Sequence, residues 1–204
     1  VVRQSPDVLS AHTADAILPA NLLLEGIAGT LREAGLCLIG VQSTPAAVVP
    51  MAKPAQSSVQ MLVTDMASGR RTGFLEGMVA VNEIDGAEIL RGPLVGHGQG
   101  YTLCLPSELH YTIELAGSGR DNLALEYTGL TQGQTLRMIS FDGFTLAPGT
   151  VAKAATDEFQ AGGAPRLYLD AGGDGSTDTV LAVSHVLVVD PSGAITAVDE
   201  PRNP

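Results

Sequence analysis

Two alternating apolar runs separated by a glycine-rich turn constrain the fold of this chain most. Every second residue is apolar in residues 111–115 and again in residues 123–127, and residues 117–121 between them include two glycines and an aspartate. The intervening positions are mostly polar, as in strands that bury one face and expose the other. The pattern predicts a β-hairpin in an antiparallel sheet.

Similar short apolar runs recur from residue 58 to residue 200, with glycine, proline and aspartate between them. Their spacing of about 8–12 residues is typical of a sandwich or barrel. Hydrophobic residues make up 45% of the chain and charged residues 16%, which is enough apolar material for a core. We therefore expect a mainly β chain that forms an antiparallel β-sandwich over residues 58–204, with one long strand at 179–189.

The first 57 residues have a different pattern. Residues 20–35 show helical periodicity, although a leucine-rich strand with a glycine kink is the alternative. Residues 37–41 form a short apolar run that predicts a buried strand, and residues 42–58 are rich in proline, alanine and serine. We expect a separate segment at 1–57 that is partly helical or extended, ends in a linker, and either packs on the sandwich or stands apart.

The charge balance excludes several kinds of partner. The chain has 22 acidic and 11 basic residues, a net charge of -11. Such an acidic chain repels the phosphate backbone of nucleic acids and anionic membrane surfaces. No apolar run approaches the roughly 20 residues that a membrane-spanning helix needs. The acidity favours divalent cations instead.

Acidic residues cluster in one loop, at residues 170–178. Asp170, Asp174 and Asp178 fall at positions one, five and nine of a calcium-type loop, and the backbone carbonyl of Ser176 falls at position seven. Gly175 occupies the position of the sharp turn. The loop therefore predicts a calcium site with Asp170, Asp174, Ser176 and Asp178 as ligands.

Two positions of the loop depart from a complete EF-hand. Gly172 removes the ligand at position three, and Leu181 stands where an EF-hand has its bidentate glutamate. The flanking residues also resemble strands rather than helices. The alternative is a solvated aspartate–glycine turn without an ion, since both residue types favour turns.

The two cysteines, Cys37 and Cys104, lie far apart in the sequence, and each has apolar neighbours. They form either one disulfide or two buried thiols, and no cysteine–histidine spacing indicates a zinc site.

The sequence contains no recognisable set of nucleophile, base and orienting group. His97 lies in a glycine-rich stretch that predicts a flexible loop, and His110 and His185 lie in predicted strands. Arg70 and Arg71 form a small basic spot on a predicted turn. We therefore expect a protein that is not an enzyme.

Four stretches between residues 58 and 185 resemble a known class of module. They are LVTDMASGRRTGFLEG from residue 62, YTIELAGSGRDNLALEY from residue 111, ISFDGFTLAPGTVA from residue 139, and LYLDAGGDGSTDT from residue 167. The series resembles the β-sandwich accessory modules near the C-termini of secreted bacterial proteins. The resemblance implies an extracellular location and a role in adhesion, spacing or stabilising a neighbouring domain.

The sequence thus predicts a non-enzymatic, calcium-stabilised module that is secreted or displayed on the cell surface. Its expected partners are other proteins, neighbouring domains or further copies of itself. Two alternatives remain open. One is a subunit of an extracellular fibre or surface layer that assembles through residues 1–57, and the other is the C-terminal accessory part of a secreted hydrolase.

Overall fold

The structure, a computed structural model, describes residues 36–44, 59–92, 99–117, 122–131, 135–160 and 165–199. These residues form fourteen strands, a single 3-10 turn at Glu76–Met78 and one short helix, α1, at Thr156–Gln160. In chain order the strands are β1 (Leu36–Thr44), β2 (Gln60–Asp65), β3 (Arg71–Leu75), β4 (Val79–Asn82), β5 (Glu88–Gly92), β6 (Gln99–Pro106), β7 (Tyr111–Ala116), β8 (Asn122–Leu130), β9 (Leu136–Thr145), β10 (Val151–Ala155), β11 (Arg166–Asp170), β12 (Thr179–Ala182), β13 (His185–Val189) and β14 (Ile195–Asp199).

The strands form two seven-stranded sheets. Sheet A has the order β14-β13-β9-β8-β1-β6-β5, and sheet B has the order β12-β11-β10-β7-β2-β3-β4. Every pair of neighbouring strands is antiparallel. The prediction of a mainly β, antiparallel chain is confirmed, and the arrangement is sandwich-like.

One apolar core joins the two sheets. Its buried side chains come from sheet A, such as Ile39 and Leu103, and from sheet B, such as Ile113. The ring of Tyr101 on β6 reaches across this core, where its hydroxyl donates to the Val59 carbonyl at 3.2 Å. The same ring packs edge-on against Phe74 on β3, with 4.5 Å between centroids. The sheets are therefore held face to face by interlocking side chains and not only by connecting loops.

Strand β1 brings part of the first 57 residues into this core. It lies between β6 and β8 in sheet A and pairs with both, and Cys37 and Ile39 are fully buried. The buried strand expected at 37–41 is present and extends over Leu36–Thr44. Residues 42–44 of the linker expected at 42–58 belong to β1. The helical periodicity at 20–35 and the rest of that linker lie outside the described residues, and the boundary between residues 57 and 58 stays a prediction.

The expected hairpin between residues 111–115 and 123–127 is wrong in its pairing. Both runs are strands, but β7 pairs with β2 and β10 in sheet B, while β8 pairs with β1 and β9 in sheet A. Strand β7 buries one face against the core from sheet B, and β8 buries one face against the same core from sheet A. The alternation predicted the buried face of each strand correctly and could not identify its neighbours.

The single strand expected at 179–189 is also wrong. The chain breaks at Val183 and Ser184, so that β12 lies on sheet B and β13 on sheet A. Val183 is buried in the core at this crossing. Ser184 and His185 interrupt the apolar run at this point, but two polar residues are also compatible with one continuous strand, so composition alone does not identify the break.

The two cysteines are free thiols, so the disulfide alternative is wrong. Cys37 lies opposite Leu105 in the β1–β6 ladder, and Cys104 lies opposite Leu38. Because successive side chains of a strand point to opposite faces, Cys37 points into the core and Cys104 points to the outer face of sheet A. Burial raises the pKa of Cys37 to about 12, and the thiol stays protonated.

Candidate functional site: the acidic loop and the neighbouring cleft

The acidic loop connects two paired strands at the edge of sheet B. Strand β11 ends at Asp170 and β12 begins at Thr179, and the ladder between them runs from Arg166–Ala182 to Leu169–Thr179. Residues 171–178 between the strands are all exposed. The loop thus connects the two strands of a β-hairpin, and its flanks are strands, as the sequence predicted.

Asp170 is the buried member of the loop, with 6% of its surface exposed. One carboxylate oxygen accepts the N–H of Asp174 at 3.2 Å, and the other accepts the N–H of Gly175 at 2.7 Å. Burial acts to raise the pKa of this carboxyl group, but the hydrogen bonds from the backbone amides of Gly175 and its neighbours outweigh burial and lower it. The carboxylate therefore stays ionised and organises the loop around it.

Asp174 and Asp178 also bond to backbone amides. Asp174 accepts the N–H of Ser176 at 2.8 Å. Asp178 accepts the N–H of Ala171 at 2.8 Å with its side chain, and donates its own N–H to the Leu169 carbonyl at 2.8 Å. All three carboxylates thus accept hydrogen bonds from backbone amides of the loop itself.

Two of the three glycines of the loop, Gly173 and Gly175, have conformations that other residues rarely adopt. Gly175 has a φ of +91°, which confirms the sharp turn predicted at this position. Gly173 has a φ of +67°, and a Cβ placed there would lie 2.9 Å from the Gly149 carbonyl oxygen. The loop therefore packs closely on the turn that precedes β10.

The carboxylates do not form a ready-made calcium site in this arrangement. Across the described residues, no group of three histidine, cysteine, aspartate or glutamate side chains is placed to hold a metal ion. Asp174 and Asp178 each accept one amide N–H with one carboxylate oxygen. The bond pattern matches the aspartate–glycine turn, and calcium binding stays a prediction.

A cleft of about 610 Å³ lies beside the loop, between sheet A and sheet B. Its walls come from both sheets, with Phe144 on β9 and Leu169 and Leu181 on β11 and β12. Polar side chains also line it, including Asn122, Asp142, Thr145 and Ser184. The cleft combines apolar walls with hydrogen-bonding groups, a mixture that small-molecule sites share.

Asp142 is the centre of a polar cluster at the rim of this cleft. Ser140 Oγ donates to its carboxylate, and Ser184 Oγ accepts its backbone N–H at 2.9 Å. His185 Nε2 lies 3.4 Å from the other carboxylate oxygen. The carboxylate therefore lies between the hydroxyl and the imidazole, whereas a catalytic triad needs the imidazole in the middle.

Glu126 extends this cluster across the outer face of sheet A. It lies opposite Ser140 on β9, and Ser140 lies opposite His185 on β13. Desolvation, and then the nearby charge of Asp142, raise the pKa of Glu126. Sequence reasoning missed this row because its members lie 14 and 45 residues apart and only strand pairing brings them together.

The other residues that the sequence singled out have structural partners or lie outside the described residues. Arg70 pairs with Asp85, and Arg71 lies 3.5 Å from Glu83. His110 bonds to Asp157 at the start of α1. His97 and the first 35 residues are not described.

Comparisons of the chain with protein-family models, with curated proteins and with solved structures give no match. The resemblance to secreted accessory modules therefore stays a prediction. In the part of the chain that the structure describes, no helix has the length and apolar character needed to cross a membrane.

Proposed function

We propose that this chain is a non-enzymatic β-sandwich module that works outside the cell, as a spacer, an adhesive unit or a support for a neighbouring domain. The observation that carries the proposal is the apolar core packed between two seven-stranded sheets. Such a body resists deformation because each sheet is cross-linked by backbone bonds and locked to the other by side chains. The acidic surface, with a net charge of -11, favours solubility.

The location of the protein tests this proposal. Cells that produce the protein are divided into culture medium, surface material released by protease and cytosol, and each fraction is probed with an antibody to the chain. The proposal expects the protein in the medium or in the surface fraction, with a cytosolic enzyme as the fractionation control. Recovery of the protein in the cytosol alone would contradict it.

Calcium binding by the acidic loop forms a separate part of the proposal. Millimolar calcium outside cells can fill a weak site, and its binding to the folded state raises the melting temperature. The test is a thermal melt with calcium and with chelator, on the wild type and on Asp174→Asn. The calcium prediction expects a higher midpoint with calcium in the wild type and loss of most of that gain in the variant. A wild-type midpoint that is the same with calcium and with chelator would contradict it and leave the loop as a turn held by its own amides.

A further inference from the structure

The exposed apolar side chains of this protein concentrate at the edges of its sheets. Five large hydrophobic side chains are exposed among the described residues, and four of them lie on edge strands, one on each edge. Val79 on β4 is 59% exposed and Leu90 on β5 is 49% exposed, while Val180 on β12 and Ile195 on β14 are 39% and 37% exposed. Edge strands with exposed aliphatic residues and unpaired backbone groups are sites where another strand can be added.

Val79 and Leu90, the two most exposed of the four edge-strand residues, lie on the same side of the sandwich. Strands β4 and β5 are the edges of sheet B and sheet A, and only residues 83–87 separate them. Asn82, at the end of β4, donates a side-chain hydrogen bond to the Ala87 carbonyl at 2.9 Å, next to the start of β5. We call this the β4/β5 side, and the opposite side, with β12 and β14, the β12/β14 side.

The charges favour contact between two copies on the β4/β5 side. Residues 70–92 contain four acidic and three basic residues, and two ion pairs, Arg70–Asp85 and Arg71–Glu83, already balance charge there. Strand β4 itself is uncharged. Residues 166–199 contain five acidic residues and one arginine, and Asp178 directly precedes β12. Two copies of the chain would therefore repel each other more strongly through the β12/β14 side.

The strand directions decide the symmetry of such a contact. Each sheet has an odd number of strands and only antiparallel neighbours, so the two edge strands of a sheet run in the same direction. A second copy related to the first by translation alone would therefore place its β12 parallel to β4 of the first copy. A copy related by a two-fold axis places β4 antiparallel to its own equivalent. Antiparallel pairs are slightly more stable than parallel ones, and a two-fold contact closes after two copies.

We propose that the protein forms a closed two-fold dimer in which β4 of one copy pairs antiparallel with β4 of the other. Sheet B then continues across the axis, and Leu90 on the neighbouring edge of sheet A packs towards the second copy. This inference concerns described residues only and does not depend on the proposed function. It differs from assembly through residues 1–57, because the contact lies on the sheet edges and ends at two copies.

The experiment is a concentration series in size-exclusion chromatography with light scattering. It compares the wild type with Val79→Lys and Leu90→Lys on the β4/β5 side, and with Val180→Lys and Ile195→Lys as matched controls on the other side. A lysine at an edge blocks strand addition without disturbing the core. We expect a wild type with twice the mass of the chain, a monomer for Val79→Lys, a weakened dimer for Leu90→Lys, and an unchanged dimer for both controls. Circular dichroism checks that all five proteins are folded.

Three results would overturn the proposal. The first is a wild type that stays monomeric up to the highest concentration. The second is a mass that keeps rising with concentration, which indicates open assembly. The third is a dimer that persists in Val79→Lys, whether or not the control variants dissociate.

Discussion

Aspartates at the ends of strands hold three turns of this protein. Asp65 accepts the N–H groups of Ala67 and Ser68 at 3.1 and 3.2 Å, and Asp170 holds the acidic loop in the same way. Asp190 accepts the N–H groups of Ser192 and Ala194 at 2.8 and 3.0 Å. Hydrogen bonds to an ionised carboxylate are stronger than those between neutral groups, so these side chains stabilise the turns most strongly while they are charged.

The pKa values of these aspartates predict how stability changes with pH. The pKa of Asp65 is lowered by hydrogen bonds from the Ser68 hydroxyl and the Ala67 amide, and that of Asp190 by the Ser192 hydroxyl and the Ala194 amide. The pKa of Asp170 is lowered by amides in spite of burial. A carboxyl group whose pKa is lower in the folded state stabilises the fold above its unfolded pKa, near 4, and loses this effect as the pH falls through its folded pKa. Urea denaturation from pH 7 to pH 2 should therefore show the full stabilisation from these groups, nearly independent of pH, above about pH 5, and a loss of stability below about pH 4.

Asp170→Asn isolates one of these contributions. The variant cannot ionise, so we expect a lower urea midpoint at pH 7 and a smaller decline on acidification than in the wild type. Asp85→Asn is the matched control, because its carboxylate is 92% exposed and pairs only with Arg70 at the surface. Exposed ion pairs contribute little, so the control should resemble the wild type. Identical acid profiles for Asp170→Asn and the wild type would contradict the role assigned to Asp170.

For individual residues, the sequence predicts the turn at residues 170–178, but it does not determine whether its carboxylates bind an ion or backbone amides. Aspartates at positions 170, 174 and 178 with Gly175 predict a sharp turn, and the turn is present. The same spacing suits carboxylates that surround an ion and carboxylates that bind amides. Which of the two occurs depends on side-chain rotamers, and residue types alone do not determine these.

At the scale of elements, alternation predicts strands but not their partners. Residues 111–115 and 123–127 are strands with the predicted buried faces, yet they belong to different sheets. The preceding sheet change, from β6 in sheet A to β7 in sheet B, is held by Tyr111, whose hydroxyl donates to the Pro106 carbonyl at 2.7 Å. A short turn between two strands is compatible with a hairpin or with a sheet change, so pairing must come from long-range contacts.

The sequence does not predict the helix α1 at Thr156–Gln160. With five residues, α1 is too short to show helical periodicity. Its stability comes from packing, because it contacts β7 and β10 of sheet B as well as β8 and β9 of sheet A. Phe159 is fully buried, and its ring centroid lies 5.2 Å from that of Tyr127. The Arg137 side chain donates a hydrogen bond to the Phe159 carbonyl at 2.6 Å.

This packing predicts the effect of shortening Phe159. Phe159→Ala should lower the free energy of unfolding by about 3–5 kcal/mol, the usual cost of truncating a buried phenylalanine. Phe159→Leu is the matched control and should cost less, because it keeps most of the apolar volume. Both values come from urea denaturation. A loss below about 1 kcal/mol for the alanine variant would mean that α1 does not close the core.

For the whole molecule, the position of β1 matters most. The sequence places residues 1–57 outside the sandwich domain, yet β1 is a central strand of sheet A with neighbours on both sides. Eight of its nine residues pair with β6 and seven pair with β8. The rigid module that we propose as the function therefore depends on a strand that precedes the predicted domain boundary.

Native-state hydrogen exchange of the backbone amides tests this account most directly. Amides in the middle of a cooperative sheet exchange only when the whole protein opens, whereas edge strands exchange through smaller local openings. We expect β1 to exchange as slowly as β8, and the edge strand β4 to exchange faster than both when the protein is dilute enough to be monomeric. A β1 that exchanges as fast as β4 would contradict it, because the core would then not depend on the first 57 residues.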